Sequence, residues 1–201
     1  VCAEGESRMS VKRARGPESM VRQGKGKELA LTGLMAALFC VVGPLSVPLP
    51  FSPVPISLTN LAIYFSLYIL GMKRGCFSYL IYLLIGFTGV PVFSAFTGGP
   101  GILLGPTGGY LVGFILMAMM GGFCIDRWPE RHVCCFLGMA AGTCVCYLFG
   151  TVWLAVQAKL TFAQALASGV LPFIAGDILK IFLAMAAGPT VRRRLTKAGL
   201  N

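Results

Sequence analysis

Apolar runs separated by short polar, glycine-rich or proline-rich stretches make up most of this 201-residue chain. Crossing the hydrocarbon core of a bilayer as a helix takes roughly 20 apolar residues, and the chain has room for six such crossings after residue 28. The predicted spans are 29–47, 57–71, 76–87 (or 76–92 if extended), 107–125, 133–156 and 172–188. The pattern predicts an all-α membrane protein with six transmembrane helices.

Three stretches between these runs are not regular helix throughout. Residues 44–55 hold five prolines, and proline cannot continue a helix. Residues 91–110 hold six glycines and three prolines without the form of a phosphate-binding loop. Residues 157–169 are mildly amphipathic, which is typical of a segment at the membrane interface. The apolar content of the second stretch indicates burial, so we expect irregular outer loops that cover a substrate pocket.

Charge follows the same division. Only 12% of the residues are charged, against about 25% in soluble domains, so lipid is the expected solvent. With the N-terminus inside, 15 of the 17 Lys and Arg fall in cytoplasmic segments; the other two are Lys159 and Lys180. This positive-inside distribution predicts that both termini are cytoplasmic. It also accounts for the net charge of +10 without nucleic-acid binding.

The chain divides into three parts on this basis. Residues 1–28 are a basic arm that we expect to be disordered and cytoplasmic. Residues 29–189 are the transmembrane substrate-binding domain, whose last helix we expect Pro189 to end. Residues 190–201 are a basic cytoplasmic tail. The eight cysteines and His132 show no zinc-ligand spacing, so we predict no metal site and no disulfide, and we interpret His132 as a solvated loop residue.

One carboxylate and one ammonium group interrupt the last apolar run, at Asp177 and Lys180. Ionisable groups at bilayer depth are costly to insert and are functional-site candidates; the alternative is that the two only neutralise each other as an i,i+3 pair. Asp177 follows Pro172 by five residues, about 7.5 Å along a helix, which places it beneath the outer loops. The pattern favours a pocket for a small, partly apolar ligand. It argues against an ion pore, and a single Asp–Lys pair without a nucleophile argues against an enzyme.

Three segments resemble the BioY family, the biotin-binding S components of energy-coupling factor (ECF) vitamin transporters. They read VPISLTNLAI (54–63), GVPVFSAFTGGPGILLGPTGGYLVGF (89–114) and PFIAGDILKIFLA (172–184). The resemblance implies a multi-pass protein of the bacterial cytoplasmic membrane that binds biotin for uptake and uses no cofactor. It also implies a transmembrane coupling subunit and ABC-type ATPases as partners. The alternative is a solitary, ATPase-independent carrier for biotin or a related vitamin or precursor.

The resemblance also assigns residues. The implied biotin site consists of Asp177, Lys180, Tyr110, Thr107, Phe93, Gly98, Gly99 and Asn60. The group of biotin that Lys180 contacts stays open. The small residues Gly33 and Ala37 are implied to contact the coupling subunit, whereas spacing alone favours ordinary packing within the bundle. Residues 57–61 read SLTNL where the family more often has TLQTL, and Ala95 and Phe96 replace a glycine-rich stretch. Both departures bear on ligand specificity.

Overall fold

The computed structural model describes residues 17–50 and 52–198, and within them it is mostly helical. Four helices (α2, α4, α5 and α7 below) are long and apolar enough to cross a membrane. In chain order the elements are α1 Pro17–Val42, β1 Ser46–Leu49, β2 Ser52–Ser57, α2 Thr59–Phe87, a 3-10 turn Ser94–Phe96, α3 Pro100–Leu104, α4 Gly108–Arg127, α5 His132–Gln157, α6 Phe162–Gly169 and α7 Leu171–Lys197.

Helix α2 consists of two halves that meet at Gly71. This residue has φ 77° and ψ 178°, a conformation that glycine adopts without a steric penalty. The Met72 N–H, which the break frees from the helix, donates to the Asp126 carboxylate at 2.7 Å. The break therefore leaves no orphaned donor at this point. Residues 72–75 lie between two predicted spans, but they are already helical, and Gly71 alone has non-helical backbone angles.

The two halves of α2 run in opposite directions. The second half lies parallel to α1, because Arg74 pairs with Glu28 at 2.6 Å and Ser78 donates to the Thr32 carbonyl at 3.0 Å. The first half starts from the hairpin at the far end of α1. The chain therefore reverses direction within α2, at the boundary between the second and third apolar runs.

A β-hairpin occupies the proline-rich stretch after α1, which corrects the purely α-helical prediction. Strands β1 and β2 pair antiparallel, with Ser46 opposite Ser57 and Leu49 opposite Ser52. Proline lacks a backbone N–H and is tolerated on edge strands, and both strands of a two-stranded ribbon are edges. The prolines therefore exclude a helix here but still permit a strand.

Helix boundaries differ from the prediction at both ends of the chain. Helix α1 begins at Pro17, so residues 17–28 are helical where a disordered segment was expected; residues 1–16 lie outside the described part of the chain. Helix α7 continues through Pro189 to Lys197, so the prediction that this proline ends the helix is wrong. Residues 190–197 of the expected tail are its last two turns.

Two of the stretches that were expected to be irregular are more regular than predicted. The 91–105 stretch contains the 3-10 turn and α3, and α6 replaces most of the amphipathic connection at 157–169. Helix α6 begins with a capping box, in which the Thr161 side chain accepts from the Gln164 backbone N–H and the Gln164 side chain accepts from the Thr161 backbone N–H. At the other end of the bundle His132 is exposed as the first residue of α5.

Aromatic side chains fill the space between α1 and α2 below the hairpin. Phe39 lies edge-on to Tyr79, with ring centroids 5.8 Å apart, and Tyr82 lies edge-on to Phe93 at 5.6 Å. The Tyr82 hydroxyl donates to the Val92 carbonyl at 3.1 Å. These contacts anchor the loop after α2 and set Phe93 against the cavity described next.

Candidate substrate-binding site

A cavity of about 330 Å³ lies beneath the hairpin and the loop after α2, between the ends of α2, α4, α5 and α7. Most of its lining is apolar. The apolar wall includes Leu49, Val54, Phe93, Phe114 and Phe173. Polar groups gather at one end, which we call the floor and define as Asn60, Tyr147, Asp177 and Lys180. This combination of an apolar wall with a few convergent polar groups is typical of a small-molecule site.

Asp177 lies at the centre of the floor. Its side chain faces inward because Phe173, Asp177 and Lys180 follow at i, i+4 and i+7 on the buried side of α7. One carboxylate oxygen accepts from the Asn60 amide at 2.7 Å and from the Lys180 ammonium at 3.0 Å. The other accepts from the Tyr147 hydroxyl at 2.6 Å. Asp177 is 7% exposed, so these bonds replace its hydration.

Lys180 joins the floor to the hairpin. Its ammonium group donates to the backbone carbonyl of Ser57 at 2.7 Å as well as to Asp177. The residue is 8% exposed, and its positive charge is matched by the Asp177 carboxylate beside it. The pair is therefore more than an intrahelical ion pair, because its two side chains also form hydrogen bonds with α2, α5 and the end of β2.

The floor retains hydrogen-bonding capacity for a ligand. A carboxylate has about four lone-pair positions, and three protein donors use the Asp177 carboxylate. The Lys180 ammonium has three N–H donors, and two of them are used among the described residues. The Asn60 amide has two N–H donors, and one of them is used. One acceptor position on Asp177, one N–H of Lys180 and one N–H of Asn60 are thus not used by these protein bonds.

Three predicted wall residues also line the cavity: Phe93, Thr107 and Tyr110. The Tyr110 ring faces the cavity, but its hydroxyl donates to the Gly169 carbonyl at 3.0 Å. That bond attaches the end of α6 to α4. Tyr110 therefore shapes the wall and holds α6 in place, and its hydroxyl is committed to the protein.

Gly98 and Gly99 are not among the residues that line the cavity in the described chain. A side chain at Gly98 would collide with the Val90 backbone, and Gly99 has φ 96°. The Gly99 N–H donates to the Gly86 carbonyl at 2.7 Å. Their geometry gives both glycines a role in the loop turn that carries Phe93.

Helix α5 contributes site residues that the sequence analysis missed. Thr143, Cys146 and Tyr147 line the cavity. The Thr143 hydroxyl donates to the Met139 carbonyl and is hydrogen-bonded to the Tyr64 hydroxyl at 2.6 Å. Their spacing of three and four residues places them on one face of a helix. A polar stripe inside an otherwise apolar span was the signal that could have identified them.

Gly33 and Ala37 lie far from the floor, on the exposed side of α1. No heavy atom lies within 4 Å of the position that a Cβ would take at Gly33. Their neighbour Ala36 is buried in the bundle. Packing within the described bundle therefore does not explain this small-residue pair.

Comparison with known proteins assigns the chain to a family. A model described as the BioY family matches residues 14–197. Biotin transporter BioY2 of Lactococcus lactis subsp. cremoris is 32% identical over 84% of this chain and 91% of its own length. A probable biotin transporter BioY of Pyrococcus horikoshii is 38% identical over 80% and 93% of the two chains.

A solved structure has the same fold. The crystal structure at 2.1 Å of the S-component for biotin from an ECF-type ABC transporter matches with a TM-score of 0.78 and 27% identity. The match covers 90% of this chain and 95% of that one. The named relatives are transporters and not enzymes. The chain belongs to the BioY family.

Proposed function

We propose that this chain is the biotin-binding S component of an ECF-type importer in the bacterial cytoplasmic membrane. The observation that carries the proposal is the floor, which offers one acceptor and two donors beside an apolar wall. The bicyclic head of biotin carries a cyclic urea, with two N–H donors and one carbonyl acceptor, on an apolar ring. The names of the relatives support the same ligand.

The urea fits the floor better than the carboxylate of biotin does. Asp177 and Lys180 together carry no net charge, and a ligand carboxylate that approached Lys180 would also approach Asp177. Like charges within about 4–6 Å disfavour each other. A neutral urea avoids this repulsion: its N–H donates to Asp177, and its carbonyl accepts from Lys180 and Asn60. We therefore assign the urea carbonyl to Lys180.

The proposed topology has six crossings with both termini cytoplasmic. The two halves of α2 supply two crossings, and α1, α4, α5 and α7 supply the others. The cavity and the hairpin then face outward, and the Glu28–Arg74 and Asp126–Arg192 contacts lie on the cytoplasmic side. The concentration of Lys and Arg at that end supports this orientation.

Energy for import comes from partner subunits in this proposal. A transmembrane coupling subunit contacts α1 at Gly33 and Ala37, where the absence of bulky side chains permits close approach of another helix. ABC-type ATPases drive the cycle, and the chain itself uses no cofactor. The exposure of both residues on α1 supports the assignment.

Binding of radiolabelled biotin to the purified chain in detergent tests the ligand and the floor together. A hydrogen bond to a charged group contributes about 1.5–3 kcal/mol, so Asp177→Asn is expected to weaken binding about 10- to 150-fold. Glu130→Gln, which removes an exposed carboxylate, is the matched control and is expected to bind as wild type does. Wild-type binding no tighter than millimolar would refute the biotin assignment. Tight binding by Asp177→Asn would refute the floor assignment alone.

Co-purification with a coupling subunit separates an importer module from a solitary carrier. We expect Gly33→Leu to lower the yield of the complex without changing biotin binding by the isolated chain. Gly26→Leu makes the same change at another exposed position of α1 and should leave the yield unchanged. Full biotin uptake by cells that lack any coupling subunit would contradict the proposal.

A further inference from the structure

We infer that the site recognises the urea head of its ligand without recognising the charge of the tail, so that neutral amides and esters of biotin are also ligands. This inference rests on the proposed function, because it takes the urea to be bound at the floor. It extends the ligand class from one carboxylate to carboxyl-modified cyclic ureas.

The distribution of cations along the chain is the first observation. Residues 28–72, 75–126 and 132–158 contain no Lys or Arg. These ranges supply the hairpin, the loop after α2 and the helix ends around the cavity. Among the described residues that line the cavity, Lys180 is the cation. A tail carboxylate outside the floor therefore has no cationic side chain in the described wall.

Lys180 is committed to the floor. It donates to Asp177 and to the Ser57 carbonyl, so it cannot follow a carboxylate towards the hairpin without breaking a buried ion pair. Losing one partner of a buried pair costs far more than a typical exposed ion pair contributes. The ammonium is therefore held at the head of the ligand.

Neutral groups line the cavity beside the apolar wall. Thr107 and Ser94 are among these residues, and their hydroxyls can donate to a carbonyl oxygen of an acid, an amide or an ester alike. Since the same donor serves all three tails, replacing the carboxylate by an amide removes no ion pair. Neutral donors therefore make the tail contact insensitive to charge.

The other cations in the described part of the chain are not among the residues that line the cavity. Helix α1 has 26 residues, so about 39 Å of helix separates Pro17 from the hairpin end. Helix α7 likewise carries Arg192 and the residues after it towards the opposite end. Arg74 pairs with Glu28 of α1, and Lys73, Arg127 and Arg131 likewise are not among the described lining residues. Lys159 is exposed between α5 and α6 and is not among them either.

Competition against radiolabelled biotin, with the purified full chain in detergent, tests the inference. The competitors are unlabelled biotin, its primary amide and its methyl ester. We expect the dissociation constants of the amide and the ester to lie within tenfold of that of biotin. An amide that binds more than tenfold more weakly than biotin would overturn the inference while leaving biotin as the ligand. Absence of biotin binding would overturn the proposed function and the inference together.

Two lysine variants identify any residue that does sense the tail. Lys159→Gln should leave the ratio of amide to biotin affinity unchanged. Lys180→Gln should weaken both ligands by the same factor, because it acts on the shared head. A selective loss of biotin affinity in either variant, with the amide unaffected, would show that this lysine binds the carboxylate and would overturn the inference. The wild-type competition decides the question even if Lys180→Gln does not fold.

Discussion

The buried ion pair of the floor should behave as one unit in the folding of the unliganded protein. Asp177→Asn leaves the Lys180 ammonium buried beside a neutral amide, and Lys180→Met leaves the Asp177 carboxylate with two hydrogen-bond donors, Asn60 and Tyr147. The double variant removes both charges at once. These three variants and the wild type form a double-mutant cycle.

The structure sets the expected magnitudes. Both side chains are about 10% exposed, and removing one partner of a buried pair costs about 3–5 kcal/mol. Lys180→Met should lie at the lower end of that range, because two donors still solvate the remaining carboxylate. The double variant contains no unpaired buried charge. Its loss of unfolding free energy should therefore be about 1–3 kcal/mol smaller than the sum of the two single losses.

Denaturant unfolding of the purified chain in detergent, without biotin, measures these free energies. The control is Glu28→Gln, which breaks the ion pair with Arg74. That pair is shorter, 2.6 Å against 3.0 Å, but its side chains are 46% and 37% exposed, so the expected loss is below about 1 kcal/mol. Single effects that simply add in the double variant would refute the view of the pair as a unit. A control that costs as much as Asp177→Asn would refute the role of burial.

Two other substitutions probe how the bundle shapes the site. Tyr147→Phe removes the 2.6 Å hydrogen bond to Asp177. In the radioligand assay we expect biotin binding to weaken by roughly 1 kcal/mol, about fivefold. Unchanged affinity would contradict the contribution of α5 to the floor. Gly86→Ala places a methyl group against the Phe93 ring and should displace the cavity wall, lowering both biotin affinity and thermal stability. Gly176→Ala meets no heavy atom within 4 Å and should lower neither; equal losses in both glycine variants would argue against the wall contact.

Much of the fold was predictable because lipid imposes a simple rule on sequence. Each crossing must satisfy its own backbone hydrogen bonds with apolar side chains outside, so the apolar runs correspond closely to α2, α4, α5 and α7. The hairpin was not predictable, since proline-rich sequence excludes a helix without specifying what replaces it. The continuation of α7 past Pro189 was not predictable for a related reason. The local cost of a proline in a helix is visible in the sequence, but the tertiary contacts that stabilise the helix around it are not. One such contact is that of buried Gly188 with Tyr68.

The candidate site was predictable in part. Asp177 and Lys180 stood out because charge in an apolar run is costly, and that cost is visible in sequence alone. Tyr147 and the Ser57 carbonyl did not stand out, since neither a tyrosine in a span nor a backbone carbonyl is costly by itself. Their roles come from distance: they lie 30 and 123 positions from their partners in the chain. The sequence determined which helix carries the two charged side chains. Only the tertiary structure decided which groups form hydrogen bonds with them, because hydrogen bonds across a bundle depend on how the helices pack.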